Sequence, residues 1–229
     1  MNDAFVSLND PNASFRASPG KDGSMDTSRA PERLVFFSDA VVAIAMTLLV
    51  LPLAEVVPEL VAEHAESYEA FTKNQWQIYS FLLSFLVISR FWISHHRLFE
   101  QVKAYSPALM QANLGWLLTI VVLPFPTEMI AGFDRDQFTA LFYIGTVFAS
   151  SAFLTAMVLI VRRDPDVAKG PDSVSADGLW NSVGSTAALA VALLLVTIAP
   201  AVGYYALLLL LVPGNVIRIR NRFASTKAA

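Results

Sequence analysis

The chain contains no cysteine, which excludes disulfides and any cysteine-ligated zinc or iron–sulfur site. Charge is scarce too. Asp, Glu, Lys and Arg make up 15% of the 229 residues, against 55% hydrophobic residues and a mean hydropathy of +0.52. Soluble domains of this length carry more charge and less apolar surface, so the composition is that of a membrane protein. Nucleotide-binding glycine patterns are absent, as are Gly-x-Ser-x-Gly, His-Glu-x-x-His and the TVGYG potassium filter. Conventional enzyme chemistry has no visible seat. The net charge of −3 carries no basic excess, and nucleic acid is not an expected partner.

What is present is a series of long apolar runs, at residues 34–53, 76–93, 108–127, 138–161, 179–199 and 202–217. A hydrocarbon core about 30 Å thick needs roughly 20 apolar residues per helix. The expectation is an all-α membrane protein with six transmembrane helices, the last two joined in a tight hairpin at Pro200 and Gly203. Residues 1–31 are rich in Asn, Asp, Ser, Pro and Gly and are expected to form a disordered tail. With no signal-peptide core there, the first span is expected to direct insertion. The six-helix transmembrane unit would cover 32–222, and a short C-terminal tail 223–229.

Lysine and arginine set the orientation. Lys21, Arg29, Arg33, Arg97, Lys103, Arg162, Arg163, Lys169, Arg218, Arg220, Arg222 and Lys227 all fall on one side if both termini are cytoplasmic. The opposite loops hold Lys73 and Arg135, beside Glu55, Glu59, Glu63, Glu66, Glu69, Glu128, Asp134 and Asp136. Such loops concentrate cations at an outer mouth or simply present a solvated acidic surface.

In the first span, Phe37, Ala40, Ile44, Thr47 and Leu51 share one helical stripe. Copies of it around an axis would stack rings of Ile44 and Leu51 with a ring of Thr47 hydroxyls between them. Hydrophobic rings gate by dewetting, and hydroxyl oxygens replace part of an ion's hydration shell. Ile and Leu at this spacing equally serve lipid or core contacts, and a helical Thr equally bonds its own backbone. Spacing alone leaves both readings open.

Arg33, Ser38 and Asp39 at the start of that span need another explanation. A carboxylate inside a span costs several kcal/mol unless paired or wet, so Asp39 is expected to face other helices or a vestibule. Arg90, His95, His96, Asn113 and Asn181 are the candidate partners, and an Asp39–Arg90 ion pair is the specific expectation. The adjacent His95 and His96 point about 100° apart on a helix, which suits hydrogen bonding at an inner interface better than one metal ion. Gly184, Ala188 and Ala192 have the small-xxx-small spacing of a close helix contact.

These residues resemble a known family. Arg33-Leu-Val-Phe-Phe37-Ser38-Asp39 matches the RxxxFSD signature of transmembrane protein 175 family potassium channels. SFLVISRFWISHHRLF resembles that family's second helix, and NLGWLLTIVVLPFPTEMI its third. The resemblance implies a six-helix prokaryotic unit in a cell membrane, a homotetramer whose first helices line a central pore, and potassium as permeant ion with no other cofactor. It implies that Ile44, Thr47 and Leu51 form the constriction and threonine ring. Arg33, Phe37, Ser38, Asp39, Arg90, His95, His96 and Asn113 would then be a supporting network. Where Arg90 stands, the family commonly has a small or apolar residue. A proton-permeable or weakly selective pathway, or a non-conducting scaffold of the same fold, are the alternatives.

Overall fold

The computed structural model describes residues 26–133, 136–170 and 173–198. Among them the fold is helical apart from one isolated bridge between Val102 and Ala168. The helices are α1 (Asp26–Leu48), α2 (Leu51–Ala62), α3 (Glu69–Thr72), α4 (Gln75–Phe99), α5 (Pro107–Val122), α6 (Pro124–Gly132), α7 (Gln137–Arg163) and α8 (Ala176–Ile198). Five stretches among the described residues are long and apolar enough to cross a membrane: Glu32–Ala62, Gln75–Phe99, Pro107–Gly132, Gln137–Arg163 and Ala176–Ile198. The expected sixth span, at 202–217, lies outside the described residues, as do the C-terminal tail and residues 1–25 of the N-terminal tail.

Helix ends differ from the apolar limits. α1 begins at Asp26, inside the segment expected to be a tail, and α1 with α2 runs on to Ala62, so Glu55 and Glu59 sit on a helix rather than in a loop. Hydropathy marks where a helix meets lipid, whereas backbone hydrogen bonding continues into water wherever the residues permit it. The α1–α2 junction at Leu49 and Val50 has a local cause. Pro52 has no N–H to donate to the carbonyl of Leu48, which suits the first turn of a new helix and interrupts an old one. Beyond α2, Lys73 meets Glu69 at 2.8 Å and Glu63 at 3.5 Å. The hydrogen bond from Lys73 holds the Glu69 carboxyl below its ordinary range, so part of the acidic segment between α2 and α4 is neutralised by its own lysine.

Two further ends are capped by side chains. The Ser106 hydroxyl accepts from the Leu109 amide at 3.3 Å with Pro107 at the first helical position. Asp136 accepts from the Thr139 amide at 2.9 Å, which keeps its carboxyl below the usual range. The segments 101–103 and 167–169 join across the bridge, with the Lys103 amide donating to the Val167 carbonyl and the Lys169 amide to the Gln101 carbonyl, both at 2.9 Å.

α1 packs on α4, α5 and α6; α7 packs on α4, α5 and α6 and carries α8 on its other side. The core between them is filled by Ile88, Leu109, Trp116, Ile120, Leu123, Tyr143, Ile144 and Met157, all buried. Hydroxyls stitch the helices together where hydrophobic driving force between helices in lipid is weak. Ser84 on α4 joins Thr127 on α6 at 2.7 Å and Tyr143 on α7 at 3.0 Å. α8 is fixed to α7 through Thr155 with Ser182 and Thr186, and Ser151 with Thr186, at 2.7–2.8 Å.

Of the small-residue stripe only Ala192 is fully buried, and Gly184 makes no close contact. Gly184 is exposed and a Cβ there would meet nothing, while the buried face of α8 runs through Leu189, Ala192 and Val196. The close approach lies elsewhere, between α5 and α7, where a Cβ on Gly115 would stand 2.6 Å from Cζ of Phe153. Gly115→Ala is therefore expected to overpack α5 against α7 and cost about 1–3 kcal/mol, seen as a lower melting temperature in detergent.

Candidate functional site: the two faces of the first helix

α1 divides into two faces with opposite roles. Ser38, Val42, Ala45 and Leu49, at i, i+4, i+7 and i+11, are buried against α4 and α5. On the other side Phe37, Ala40, Ile44, Thr47, Leu48 and Leu51 are all exposed, Ile44 by 60% and Leu51 by 50%. Thus the stripe predicted to line a pore is one that the other described residues leave uncovered. Leu48, 45% exposed, belongs to it and was missed, although its i+4 spacing from Ile44 was visible in the sequence.

The buried face is anchored by a directional chain of hydrogen bonds. His95 Nε2 on α4 donates to Asn113 Oδ1 on α5 at 2.8 Å, and Asn113 Nδ2 donates to Ser38 Oγ at 3.0 Å. Ser38 Oγ in turn donates to the Leu34 carbonyl at 2.9 Å. All three side chains are buried, and each donor has one acceptor, so the tautomer of His95 and the rotamer of Asn113 follow from the chain. The His95 ring is also sandwiched. Trp116 stacks on it at 4.2 Å with a 7° interplanar angle, and Phe99 at 4.3 Å with 28°.

Asp39 is held separately. Its Oδ1 accepts from Trp92 Nε1 at 2.8 Å, which corrects the expected ion pair with Arg90. Trp92 and Arg90 are two residues apart on α4, so they point about 200° apart, and only one of them reaches α1. Arg90 instead lines a cavity between α4, α7 and α8. Trp92→Phe removes the only hydrogen bond that Asp39 has among the described residues, and is expected to lower stability by about 1 kcal/mol, measured by thermal melting in detergent.

Three other expected network members stand apart. Phe37 is 53% exposed on the open stripe, and Arg33 is exposed with no ion-pair partner among the described residues. His96 lies beside Trp92 at a ring distance of 5.6 Å and 3.9 Å from Glu100, outside the chain that its neighbour His95 joins. So the structure brings together Ser38, His95 and Asn113 in one network and Asp39 with Trp92 in another. It leaves Arg33, Phe37, Arg90 and His96 out of both.

On the open face, Thr47 Oγ1 donates to the Ile44 carbonyl at 2.7 Å. That bond uses the hydroxyl proton and turns the oxygen lone pairs away from the helix, a geometry suited to accepting from water or holding a cation.

Residues 33–124 match the family described as "Endosomal/lysosomal potassium channel TMEM175". That stretch is similar to the TMEM175 family over about two fifths of the chain. The TMEM175-matching segment holds both faces of α1 and every member of the two hydrogen-bonded networks. A potassium channel of Streptomyces collinus is 38% identical over 106 residues, 46% of this chain and 50% of that protein. A potassium channel of Chryseobacterium is 29% identical over 143 residues, 62% of this chain and 71% of that one. The zebrafish endosomal/lysosomal proton channel TMEM175 is 27% identical over 143 residues, 62% of this chain and 27% of that protein. The chain thus spans about half the length of the Streptomyces relative and about a quarter of the zebrafish one. A crystal structure of a lysosomal potassium-selective channel TMEM175 homolog from Chamaesiphon minutus superposes with a TM-score of 0.65 at 23% identity. That superposition covers 80% of this chain and 96% of the other, and it establishes a shared fold.

Proposed function

We propose that copies of this chain, four in number, associate around α1 to form a potassium channel in a prokaryotic plasma membrane. The observation that carries this reading is the uncovered apolar stripe of α1 with a single hydroxyl in it. A lipid-facing helix has no need of an inward network as directional as Ser38–Asn113–His95, whereas a helix that lines a pore must be held in one rotation. One copy of α1 encloses nothing, so the function requires self-association. In the assembled pore Ile44 and Leu51 form the hydrophobic constriction and Thr47 offers its oxygen to the dehydrating ion. The family match over residues 33–124 and relatives that are named potassium channels support the same reading.

A proton pathway is the second reading, because vertebrate relatives are named proton channels. His95 does not serve it. The ring is buried on the side of α1 away from the stripe, closed in by Trp116 and Phe99. Reversal potentials of the reconstituted protein under separate potassium, sodium and proton gradients test the choice. Potassium selectivity moves the reversal potential with the potassium gradient alone; a reversal potential that tracks pH overturns it in favour of protons.

A further inference from the structure

Arg90 is a cation two turns inside α4, half-buried, and its expected partner Asp39 is engaged elsewhere. A guanidinium at that depth is costly unless an anion or water accompanies it. It opens into a cavity of about 320 Å³, within the range of small-molecule sites at ~300–1,000 Å³. The chemistry of that cavity is one-sided. Arg97, one and a half to two turns nearer the end of α4, shares the wall, since i and i+7 lie on one face. Ser94, Ser182 and Ser185 contribute hydroxyls, of which Ser94 already donates to the Arg90 carbonyl and Ser182 is bonded to Thr155.

The α8 N-terminus points the same way. Ser175 and Gly178 line the cavity at the start of a 23-residue helix, whose dipole puts its positive end there; the Gly178 amide itself is capped by Ser175 Oγ at 3.1 Å. No described carboxylate lines it; Asp177, in the same turn, is exposed outside the wall. Apolar Phe91, Leu98, Leu154 and Val158 complete it. Two guanidiniums, the Ser185 hydroxyl and the positive end of a helix dipole, with no described carboxylate in the wall, are the complement of a phosphate group, which arginine binds bidentately. The apolar wall and the position at the Lys- and Arg-rich end of the helices add what a phospholipid offers beyond its phosphate.

We propose that the cavity between α4, α7 and α8 binds a phosphate-bearing anion, with Arg90 as its principal ligand and Arg97 as its second. The site is on the far side of α4 from the α1 stripe, so it stands whether or not the stripe conducts.

The test is native mass spectrometry of the full chain in detergent, incubated with phosphatidylglycerol, with phosphatidylcholine or with inorganic phosphate. Wild type is expected to retain phosphatidylglycerol or phosphate, and to retain phosphatidylcholine about tenfold less. Retention of phosphatidylglycerol alone identifies a lipid source, and retention of phosphate a soluble one. Arg90→Gln and, independently, the cavity-filling Ser185→Leu are each expected to cut retention about tenfold, with Arg162→Gln/Arg163→Gln as the control for charge at the same membrane end. Size-exclusion profiles establish that each variant remains folded. Retention of neither anion by wild type, or equal retention in wild type and in folded Arg90→Gln and Ser185→Leu, overturns the proposal.

Discussion

Ile44→Asn raises potassium flux through the reconstituted protein by about tenfold, the change that follows from lowering a barrier by about 1.4 kcal/mol. Ile44 is 60% exposed on a stripe that the other described residues do not cover. In an assembly around α1 its side chain repeats in a ring, and an apolar ring expels water from a narrow pore. An amide at that position wets the ring and supplies oxygen to a partly dehydrated cation. The same wetting lowers discrimination, so the preference for potassium over sodium is expected to fall as flux rises. Flux assays in liposomes with each ion check both parts. Unchanged flux from an intact Ile44→Asn assembly would remove the constriction from this position.

Asn113→Leu gives the largest loss of stability. The side chain is buried and makes two hydrogen bonds, accepting from His95 Nε2 and donating to Ser38 Oγ. Ser38 survives the change because its hydroxyl still donates to the Leu34 carbonyl. His95 does not. Its Nδ1 has no partner among the described residues, and with Asn113 gone its Nε2–H is also orphaned among aromatic rings. A buried donor left unsatisfied costs ~1–3 kcal/mol, and the lost bond to Ser38 adds about 1 kcal/mol. The sum is about 3 kcal/mol, a melting temperature lower by several degrees in detergent. Replacing both partners by apolar groups of similar shape is nearly neutral by the same reasoning, so Asn113→Leu with His95→Phe is expected to recover most of the loss. A double variant no more stable than Asn113→Leu would show that the network does not hold α1.

Much of the site was legible before the structure, and the reasons are local. Ser38 and Asp39 are polar groups inside a span and need partners, and His95 and Asn113 on other spans are able to serve. The i, i+3, i+7 spacing of Ile44, Thr47 and Leu51 placed them on one stripe, which the structure leaves exposed. What the sequence could not reveal was the rotation of one helix against the next. Arg90 and Trp92 differ by two positions, and charge complementarity favoured Arg90, yet the rotation of α4 turns Trp92 toward Asp39. The same blindness separated His95, inside the network, from His96, outside it. Gly184 failed for a related reason: small residues permit close packing without causing it, and the hydroxyl ladder of Ser182 and Thr186 turned another face of α8 toward α7. Helix ends were displaced because hydropathy sees lipid, and the helix that begins at Asp26 and the one that ends at Ala62 continue beyond it.

Because the chain has no cysteine, a single introduced thiol is the only one present, and it allows the central claim to be tested at one atom. The measurement is potassium flux through Thr47→Cys in liposomes before and after treatment with a small cationic thiol reagent, with the extent of labelling read by mass spectrometry. If the open face of α1 lines a pore formed by self-association, labelling at position 47 puts a fixed positive charge in the path, and flux falls by about tenfold or more. Complete labelling of Thr47→Cys with flux unchanged would contradict it, because a residue that carries a new charge without affecting ions does not line their path.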